Sequence, residues 1–269
     1  MIDTLILSAC GVKGLYYVGV FQALLNRKII SQTTIRNLVC CSSGSLFGLL
    51  FMLNYSLEFI EKLACSIDFE SCLDYEDLSD LFSDHGLFSI DSIIDIFVNC
   101  LYHKGYSRDI TLLELYEATQ VNYVVKVYNY TQSKNEYVNY ETYPDMPVKT
   151  ALSMTCSIPL YFKAVRYQDN LYVDGGITGL TPEPEDPRYD HNLTIRMSSH
   201  CSHSEDTVSY ILNILQVGIK KQYKQTNQTI VISCSLGLSM TDFDISEDRK
   251  HQMIDHAYDM TQIHIDRYL

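Results

Sequence analysis

The sequence predicts one α/β domain in which a mainly parallel central sheet is flanked by helices. The opening fifty residues twice repeat a short apolar strand, an abrupt turn and an apolar helix, which is how a parallel sheet begins. Further strand-like and helical segments follow along the rest of the chain. The 269 residues are 46% hydrophobic and 20% charged, values typical of a globular protein and of one domain rather than two.

The first strand is expected at residues 4–8 and runs into a turn at residues 9–14. Apolar residues then recur at helical spacing from Leu15 to Leu25. A second buried strand at residues 35–41 breaks at another turn, and an apolar helix follows to about Leu53. Both turns therefore lie at the carboxyl ends of neighbouring strands.

The remaining elements follow from local patterns. We expect surface helices along the acidic stretch to about Asp95, strands that carry β-branched residues, and a C-terminal helix with an apolar face. The predicted helices are 107–117 and 151–157; the predicted strands are 123–130, 136–140, 170–173, 193–197 and 229–234; the polar loop is 182–190; the apolar face of the last helix is Ile254, Ala257, Tyr258, Ile265 and Tyr268.

Charge excludes some classes of protein. The net charge is −13, whereas nucleic-acid binding needs clustered Lys and Arg, so we expect no nucleic-acid partner.

The nine cysteines include no C-x-x-C pair and are typical of free thiols in a reducing compartment. With no signal peptide recognised at the start, we expect a cytoplasmic protein. The oligomeric state stays open.

The second turn carries the first chemical motif, formed by Cys40, Cys41, Ser42, Ser43 and Gly44. A strand that breaks directly into a helix holds the turn residue in a strained conformation and presents its hydroxyl at the helix N-terminus. Ser42 is the candidate nucleophile, because Ser43 lacks a glycine two positions later. The segment also fits an ordinary small-residue turn.

The first turn, Gly11, Val12, Lys13 and Gly14, can present backbone amides toward the same edge of the sheet. That is the requirement for an oxyanion hole. The sequence contains neither G-x-x-x-x-G-K-[ST] nor G-x-G-x-x-G, so neither nucleotide-binding interpretation applies.

The third motif is Asp174, followed by Gly175 and Gly176 at the end of a predicted strand. An aspartate there can turn its carboxylate toward the same edge. Asp-Gly also marks simple turns.

These motifs together resemble patatin-like phospholipases. Residues 7–14 (LSACGVKG) are similar to the family's oxyanion loop G-G-G-x-[KR]-G, and residues 40–44 to its G-x-S-x-G. Residues 151–162 (ALSMTCSIPLYF) resemble A-x-x-A-S-x-A-P-x-Y-F, and residues 172–176 contain D-G-[GA]. Order and spacing agree over residues 4–180, with the remaining strands and the C-terminal helix in residues 181–269 of a single domain.

The resemblance implies the family's three-layer fold and a Ser-Asp dyad without a catalytic histidine. Ser42 would attack an ester carbonyl and Asp174 would accept its proton, while amides near Gly11 and Val12 hold the oxyanion. Lys13 adds positive charge or braces the loop. The implied substrate is a lipid or phospholipid, met in transient contact with a membrane surface, and no metal or cofactor is required.

The chain departs from the family pattern where Ala9, Cys10 and Cys40 replace glycines. These replacements remove glycine's freedom to adopt positive φ. They motivate an alternative, a non-catalytic lipid-binding or scaffold protein with a degenerate site.

Two further alternatives remain open. A Ser-His-Asp hydrolase would place its nucleophile after several strands, whereas Ser42 follows two. A metal site at residues 200–203 (HCSH) would need a second ligand pair, which the sequence does not provide.

Overall fold

A computed structural model describes residues 2–73, 85–198, 226, 228–234 and 244–269. Its central sheet confirms the predicted α/β class. The strands are β1 Thr4–Leu7, β2 Asn37–Cys41, β3 Gly86–Phe88, β4 Asn122–Asn129, β5 Lys134–Val138, β6 Leu160–Phe162, β7 Val165–Tyr167, β8 Asn170–Asp174, β9 Asn192–Ser198 and β10 Thr229–Ser233. The helices are α1 Tyr16–Asn26, α2 Ser43–Met52, α3 Leu57–Ser66, α4 Asp91–His103, α5 Leu112–Thr119, α6 Val148–Cys156 and α7 Glu247–Tyr268. Short 3₁₀ turns are Gly11–Leu15, Gly175–Thr178 and Pro187–Tyr189.

The sheet is parallel through its centre and antiparallel at one side. Its strand order is β10-β9-β1-β2-β4-β8-β7, with β5 also paired to β4. The strands from β10 to β4 in that order pair in parallel, whereas β8, β7 and β5 pair antiparallel. The carboxyl ends of β1 and β2 therefore meet at one edge, as predicted.

Side chains alternate between the two faces of the sheet, as strand geometry requires. On β1 and β2, Leu5, Leu7 and Leu38 join the large core, which also contains α2. Ile6 and Val39 belong to a smaller cluster on the other face. Every residue of α2 is buried, so this helix is apolar all round, as a fully enclosed helix must be.

Several element boundaries differ from the sequence predictions. The helix predicted at residues 107–117 begins at Leu112, because Thr111 and Glu114 form a reciprocal capping box. The acidic stretch was expected to be helical throughout, but β3 interrupts it and pairs with β6. Residues 74–84 of that stretch lie outside the described residues. The predicted polar loop contains a 3₁₀ turn that buries Tyr189.

The C-terminal helix α7 packs along α1. Ile254, Ala257 and Ile265 are buried as predicted, but Tyr268 is 43% exposed, so the apolar face ends before the last turn. Lys250 of α7 is buried and donates hydrogen bonds to the carbonyls of Cys65 and Ile67. Among the described helices, none combines the length and apolarity needed to cross a bilayer.

Gly19 sets the distance between α1 and α7. A Cβ added there would lie 2.0 Å from the carbonyl oxygen of Ile254 and 2.8 Å from the amide nitrogen of Tyr258. Both are backbone atoms, which cannot move without shifting the helix. We predict that Gly19→Ala lowers the free energy of unfolding by about 2 kcal/mol or more, although alanine by itself favours a helix by about 1 kcal/mol.

Denaturant unfolding of Gly19→Ala and Gly48→Ala measures this difference. A Cβ at Gly48 would meet Cys40 Sγ at 3.0 Å and Leu7 Cδ1 at 3.1 Å, which are side-chain atoms that can yield, so this variant should lose less stability. If Gly19→Ala is neutral or stabilising, the close approach of α1 and α7 is wrong.

Candidate active site

Ser42 occupies the turn between β2 and α2 in a strained conformation. Its φ is 52° and its ψ is −133°, a region that residues with a side chain adopt at a cost of about 1–3 kcal/mol. Gly44 makes the turn feasible, because a Cβ there would lie 2.7 Å from the carbonyl oxygen of Ser8 and 2.9 Å from that of Leu7. The segment therefore has the strained strand-to-helix geometry that a nucleophile elbow requires.

A threonine that the sequence analysis did not identify holds this turn. The amide of Ser42 donates to Thr155 Oγ1 at 2.9 Å, and that hydroxyl donates to the carbonyl of Lys126 at 2.7 Å. Thr155 lies inside the 151–162 segment that resembles the family pattern. The pattern itself contains no signal that this residue anchors the elbow.

The replaced glycines do not strain the site. In the described residues from Ala9 to Cys40, Gly11 is the glycine with positive φ, at 58°, and Ala9, Cys10 and Cys40 all have φ outside that region. Cys40 is an ordinary buried strand residue whose Sγ lies against Gly48. These three positions therefore do not need glycine's conformational freedom in this chain.

The predicted oxyanion turn forms a 3₁₀ turn beside Ser42. Gly11 and Val12 line the same cleft as Ser42 and Ser43. The amide of Lys13 donates to the carbonyl of Cys10 at 3.2 Å, so hydrogen bonding within the turn begins at Lys13. The first amides of a helical turn have no acceptor inside it and are free to meet an anion.

Lys13 and Gly14 lie behind this turn and do not line the cleft. Lys13 is buried, and its charge lowers the pKa of the Cys10 and Cys234 thiols, against the larger effect of burial. A Cβ on Gly14 would lie 2.6 Å from the Phe47 ring. Of the four residues predicted for this turn, two face the cleft and two support it.

Asp174 lies beside the turn at Ser42 on a strand whose direction the sequence did not predict. We expected its strand to end at the same edge as β1 and β2, but β8 is antiparallel to β4 and enters from the opposite direction. Asp174 pairs with Val127, one residue beyond the Lys126 that pairs with Cys41. The Asp174 carboxylate lies level with the turn at Ser42, because β8 ends at Asp174.

The structure brings Ser42 and Asp174 together. The Ser42 side chain lies close enough to the Asp174 carboxylate to lower the pKa of that carboxyl, and Asp174 Oδ1 accepts a 2.6 Å hydrogen bond from the amide of Gly176. The Cys41 thiol lies 3.8 Å from Oδ1. Ser42 is 3% exposed and Asp174 is 4% exposed, so the pair is shielded from bulk water.

Burial raises the pKa of the Asp174 carboxyl from 3.8 to about 6. The nearby Ser42 hydroxyl, the hydrogen bond from the amide of Gly176 and the positive charge of Lys126 oppose that rise. The carboxylate is therefore ionised at neutral pH but more basic than an exposed aspartate, which suits a proton acceptor.

The cleft beside Ser42 is apolar. Its space, counted together with the part that opens to solvent, is about 480 Å³. Beyond the elbow and the oxyanion turn, its lining is Leu46, Phe47, Phe69, Ile90, Ile93, Phe97, Cys156, Ile158 and Phe162. Phe69, Ile90 and Ile93 belong to the acidic stretch predicted as a solvated surface, and their apolar character was the available signal that part of it faces inward.

Histidine does not contribute to this cleft within the part of the chain that the structure describes. His256, for example, binds the carbonyl of Ser233 at 2.9 Å. Across the same described ranges, no group of three His, Cys, Asp or Glu side chains is placed to hold a metal. The HCSH segment at residues 200–203 lies outside the described residues.

An α/β sheet with a strained serine at a strand-to-helix turn, a buried aspartate and an apolar cleft is an arrangement typical of hydrolases. The family model for patatin-like phospholipases matches residues 5–185. The chain belongs to the patatin-like phospholipase family.

Two viral proteins have sequences similar to this chain. The chain is 29% identical over 239 residues to "Probable lipid hydrolase 463L" of Invertebrate iridescent virus 6, covering 85% of this chain and 77% of that protein. It is 20% identical over 273 residues to "Uncharacterized protein R571" of Acanthamoeba polyphaga mimivirus, covering 94% and 90%.

Solved structures share the fold. VipD from Legionella pneumophila matches with a TM-score of 0.71 at 16% identity, over 99% of this chain and 67% of VipD. ExoU in its complex with SpcU, from the type III secretion system of Pseudomonas aeruginosa, matches with a TM-score of 0.56 at 16% identity, over 100% of this chain and 52% of the other. At these identities the likeness establishes the fold alone.

Asp174 should make folding less favourable as pH rises. Its folded-state pKa of about 6 exceeds the usual 3.8, so between those values the folded state binds more protons and stability falls. We predict that wild type loses about 3 kcal/mol relative to Asp174→Asn between about pH 4 and pH 7. Urea unfolding at a series of pH values measures the difference.

The exposed Asp169 in the preceding turn supplies the matched control. The stability difference between wild type and Asp169→Asn should change little over the same pH range, because solvent screens an exposed carboxylate. A pH-independent difference for Asp174→Asn would show that the carboxyl is not destabilised by burial.

Cys40→Gly should lower stability without improving catalysis. Cys40 is fully buried in β2 and needs no positive φ, so glycine removes packing and adds backbone freedom, at a cost of about 2 kcal/mol. Cys40→Ala keeps Cβ and is the control for the backbone effect. Thermal melts and ester turnover test the pair; a higher kcat in the glycine variant alone would mean that Cys40 does strain the elbow.

Proposed function

We propose that the protein is a lipid acyl hydrolase that cleaves fatty acyl esters of phospholipids or related lipids through a Ser42–Asp174 dyad. The observation that carries the proposal is the position of the Ser42 side chain beside the buried Asp174 carboxylate, at a strained turn that opens on an apolar cleft. Membership of the patatin-like phospholipase family and the similarity to a probable lipid hydrolase support the same class of reaction.

In the proposed reaction, Ser42 Oγ attacks the ester carbonyl carbon while its proton passes to Asp174. The tetrahedral intermediate collapses, and the departing alcohol takes the proton back. Water then attacks the acyl-enzyme, gives a proton to Asp174, and releases the fatty acid as Ser42 recovers its hydrogen. The raised pKa of Asp174, about 6, makes it a better acceptor than an exposed aspartate.

Negative charge on the carbonyl oxygen would be stabilised by the backbone amides of Gly11 and Val12. Both residues line the cleft beside Ser42, and Ser42 is also the N-cap of α2, whose dipole favours an anion there. Lys13 is proposed to brace the turn from behind, and its buried charge adds to the positive potential. No step in this scheme requires a metal or cofactor.

The cleft is proposed to hold the acyl chain, since its lining is almost wholly apolar. A lipid substrate implies transient contact with a membrane surface. The eight cysteines in the described ranges are free thiols, which favours the cytoplasm as the proposed location.

Ser42→Ala and Asp174→Asn should each reduce hydrolysis of a p-nitrophenyl acyl ester by about a thousandfold or more, because both residues act in the same proton transfer. Their double variant should lose little more than either single variant. Turnover should be measured beside a thermal melt, so that loss of activity is separated from loss of folding.

Ser43→Ala is the matched control, because Ser43 lies next to the nucleophile and binds the Cys10 thiol at 3.2 Å. A fluorophosphonate probe should label wild type and Ser43→Ala but not Ser42→Ala. Bound lipid without labelling or turnover in wild type would favour the non-catalytic lipid-binding alternative.

A further inference from the structure

Lys126 is a buried cation next to the proposed dyad. It lies in β4 and is 4% exposed. Its neighbours Val125 and Val127 belong to the large core that includes the cleft residues, whereas Val124 belongs to the cluster on the other face. By strand alternation, the Lys126 side chain lies behind the sheet as seen from the cleft. A lysine is almost never fully buried without a compensating role.

The ammonium of Lys126 holds the turn that follows Asp174. Its Nζ donates to the carbonyl of Gly179 at 2.8 Å. Gly179 follows the 3₁₀ turn Gly175–Thr178 as its C-cap and has a φ of 137°. Its amide donates a hydrogen bond to the carbonyl of Gly176 at 3.1 Å. The same turn supplies the Gly176 amide that binds the Asp174 carboxylate.

The backbone of Lys126 holds the other half of the dyad. Its carbonyl accepts the hydroxyl of Thr155 at 2.7 Å, and Thr155 in turn accepts the amide of Ser42. Gly175 lies directly against this carbonyl, since a Cβ there would be 2.5 Å away. One residue therefore connects to the serine turn through its carbonyl and Thr155, and bonds to the aspartate turn through its side chain.

We propose that Lys126 is a positioning residue for the dyad, which fixes the Ser42 and Asp174 turns relative to each other and places a positive charge behind the Asp174 carboxylate. The proposal rests on the proposed function, because the role matters only if Ser42 and Asp174 act together. In this role Lys126 acts through the two turns and through its charge.

The titratable and charged groups around Asp174 and Lys126 determine how the ionisation of Asp174 depends on pH. Asp174 faces the Ser42 hydroxyl and the thiols of Cys41, Cys156 and Cys10. Burial raises the pKa of all three thiols, so they stay neutral, and Lys126 is the cation that acts on Asp174.

On the other side, Lys126 lines a polar cavity of about 850 Å³ of empty volume, which it shares with Tyr137, Glu183 and Glu185. Burial raises the pKa of Tyr137 to about 12, so the tyrosine is neutral. The two glutamates are exposed and their field is screened by water.

Lys126→Gln and Lys126→Arg separate charge from hydrogen bonding. Glutamine keeps a hydrogen-bond donor on a side chain one bond shorter and carries no charge, and arginine keeps the charge. We predict that the acidic limb of kcat/KM for a p-nitrophenyl acyl ester moves up by about one pH unit or more in Lys126→Gln, because the neutral form of Asp174 then persists to higher pH. Lys126→Arg should keep the limb near its wild-type position.

Lys126→Met, which removes both the charge and the donor, should show the same shift and also a lower alkaline plateau. A purely structural role would lower activity equally at every pH and leave the limb in place, and that result would overturn the proposal.

A second readout does not depend on activity. In the Ser42→Ala background, the carboxyl carbon of Asp174 can be titrated by ¹³C NMR and assigned by its absence in Asp174→Asn. Lys126→Gln should raise that titration midpoint. If the midpoint moves but wild type shows no Ser42-dependent hydrolysis, the proposed function fails, and with it the positioning role, although the charge of Lys126 does act on Asp174. An unmoved midpoint together with Ser42-dependent hydrolysis would overturn the role of Lys126 and leave the proposed function intact.

If Lys126→Gln alone fails to fold, the double variant Lys126→Gln/Asp174→Asn decides. Removing the carboxylate removes the need for the nearby charge, so the double variant should recover part of the lost stability. No recovery would mean that the two residues are not coupled.

Discussion

The close crossing of β1, β2 and α2 at Ser42 is the constraint on which the rest of the site depends. The chain must change from strand to helix within one residue, which forces a positive φ on a serine and brings Gly44 against the carbonyls of Leu7 and Ser8. This arrangement is maintained because the surrounding core is fully packed and Thr155 binds the Ser42 amide. Strain of this kind persists only where neighbouring structure overdetermines it.

Electrostatics and folding oppose each other at Asp174. Burial makes the carboxylate a stronger base, and the same burial makes its ionised form unfavourable in the folded protein. The structure offsets this with short-range donors from Ser42 and Gly176 and with the charge of Lys126 behind the strand. A site that needs an ionised carboxylate away from water must therefore give up some stability, as functional sites commonly do.

The chain has Ala9, Cys10 and Cys40 where the family pattern has glycine, and the local backbone accommodates these side chains. Cys40 fits because Gly48, in the second turn of α2, leaves room for its Sγ. Cys10 fits because the positive φ of the oxyanion turn falls on Gly11 instead, and its thiol binds Ser43. The number of glycines missing from a motif is therefore a poor guide to whether its backbone geometry is kept. That geometry depends on which residue adopts the positive φ and which residue lies closely against neighbouring backbone.

The sequence by itself determined the α/β class, the two strand-turn-helix units and the identity of Ser42, Gly44, Gly11 and Asp174 as candidates, because these depend on local periodicity and on residues whose chemistry is visible in one dimension. Only the tertiary structure decided how Asp174 meets Ser42. Its strand is antiparallel to β4, and strand direction depends on pairing between distant segments. The supporting roles of Thr155 and Lys126 were equally hidden, because a threonine in a helix and a lysine in a strand acquire these roles only when β4, α6 and the elbow pack together.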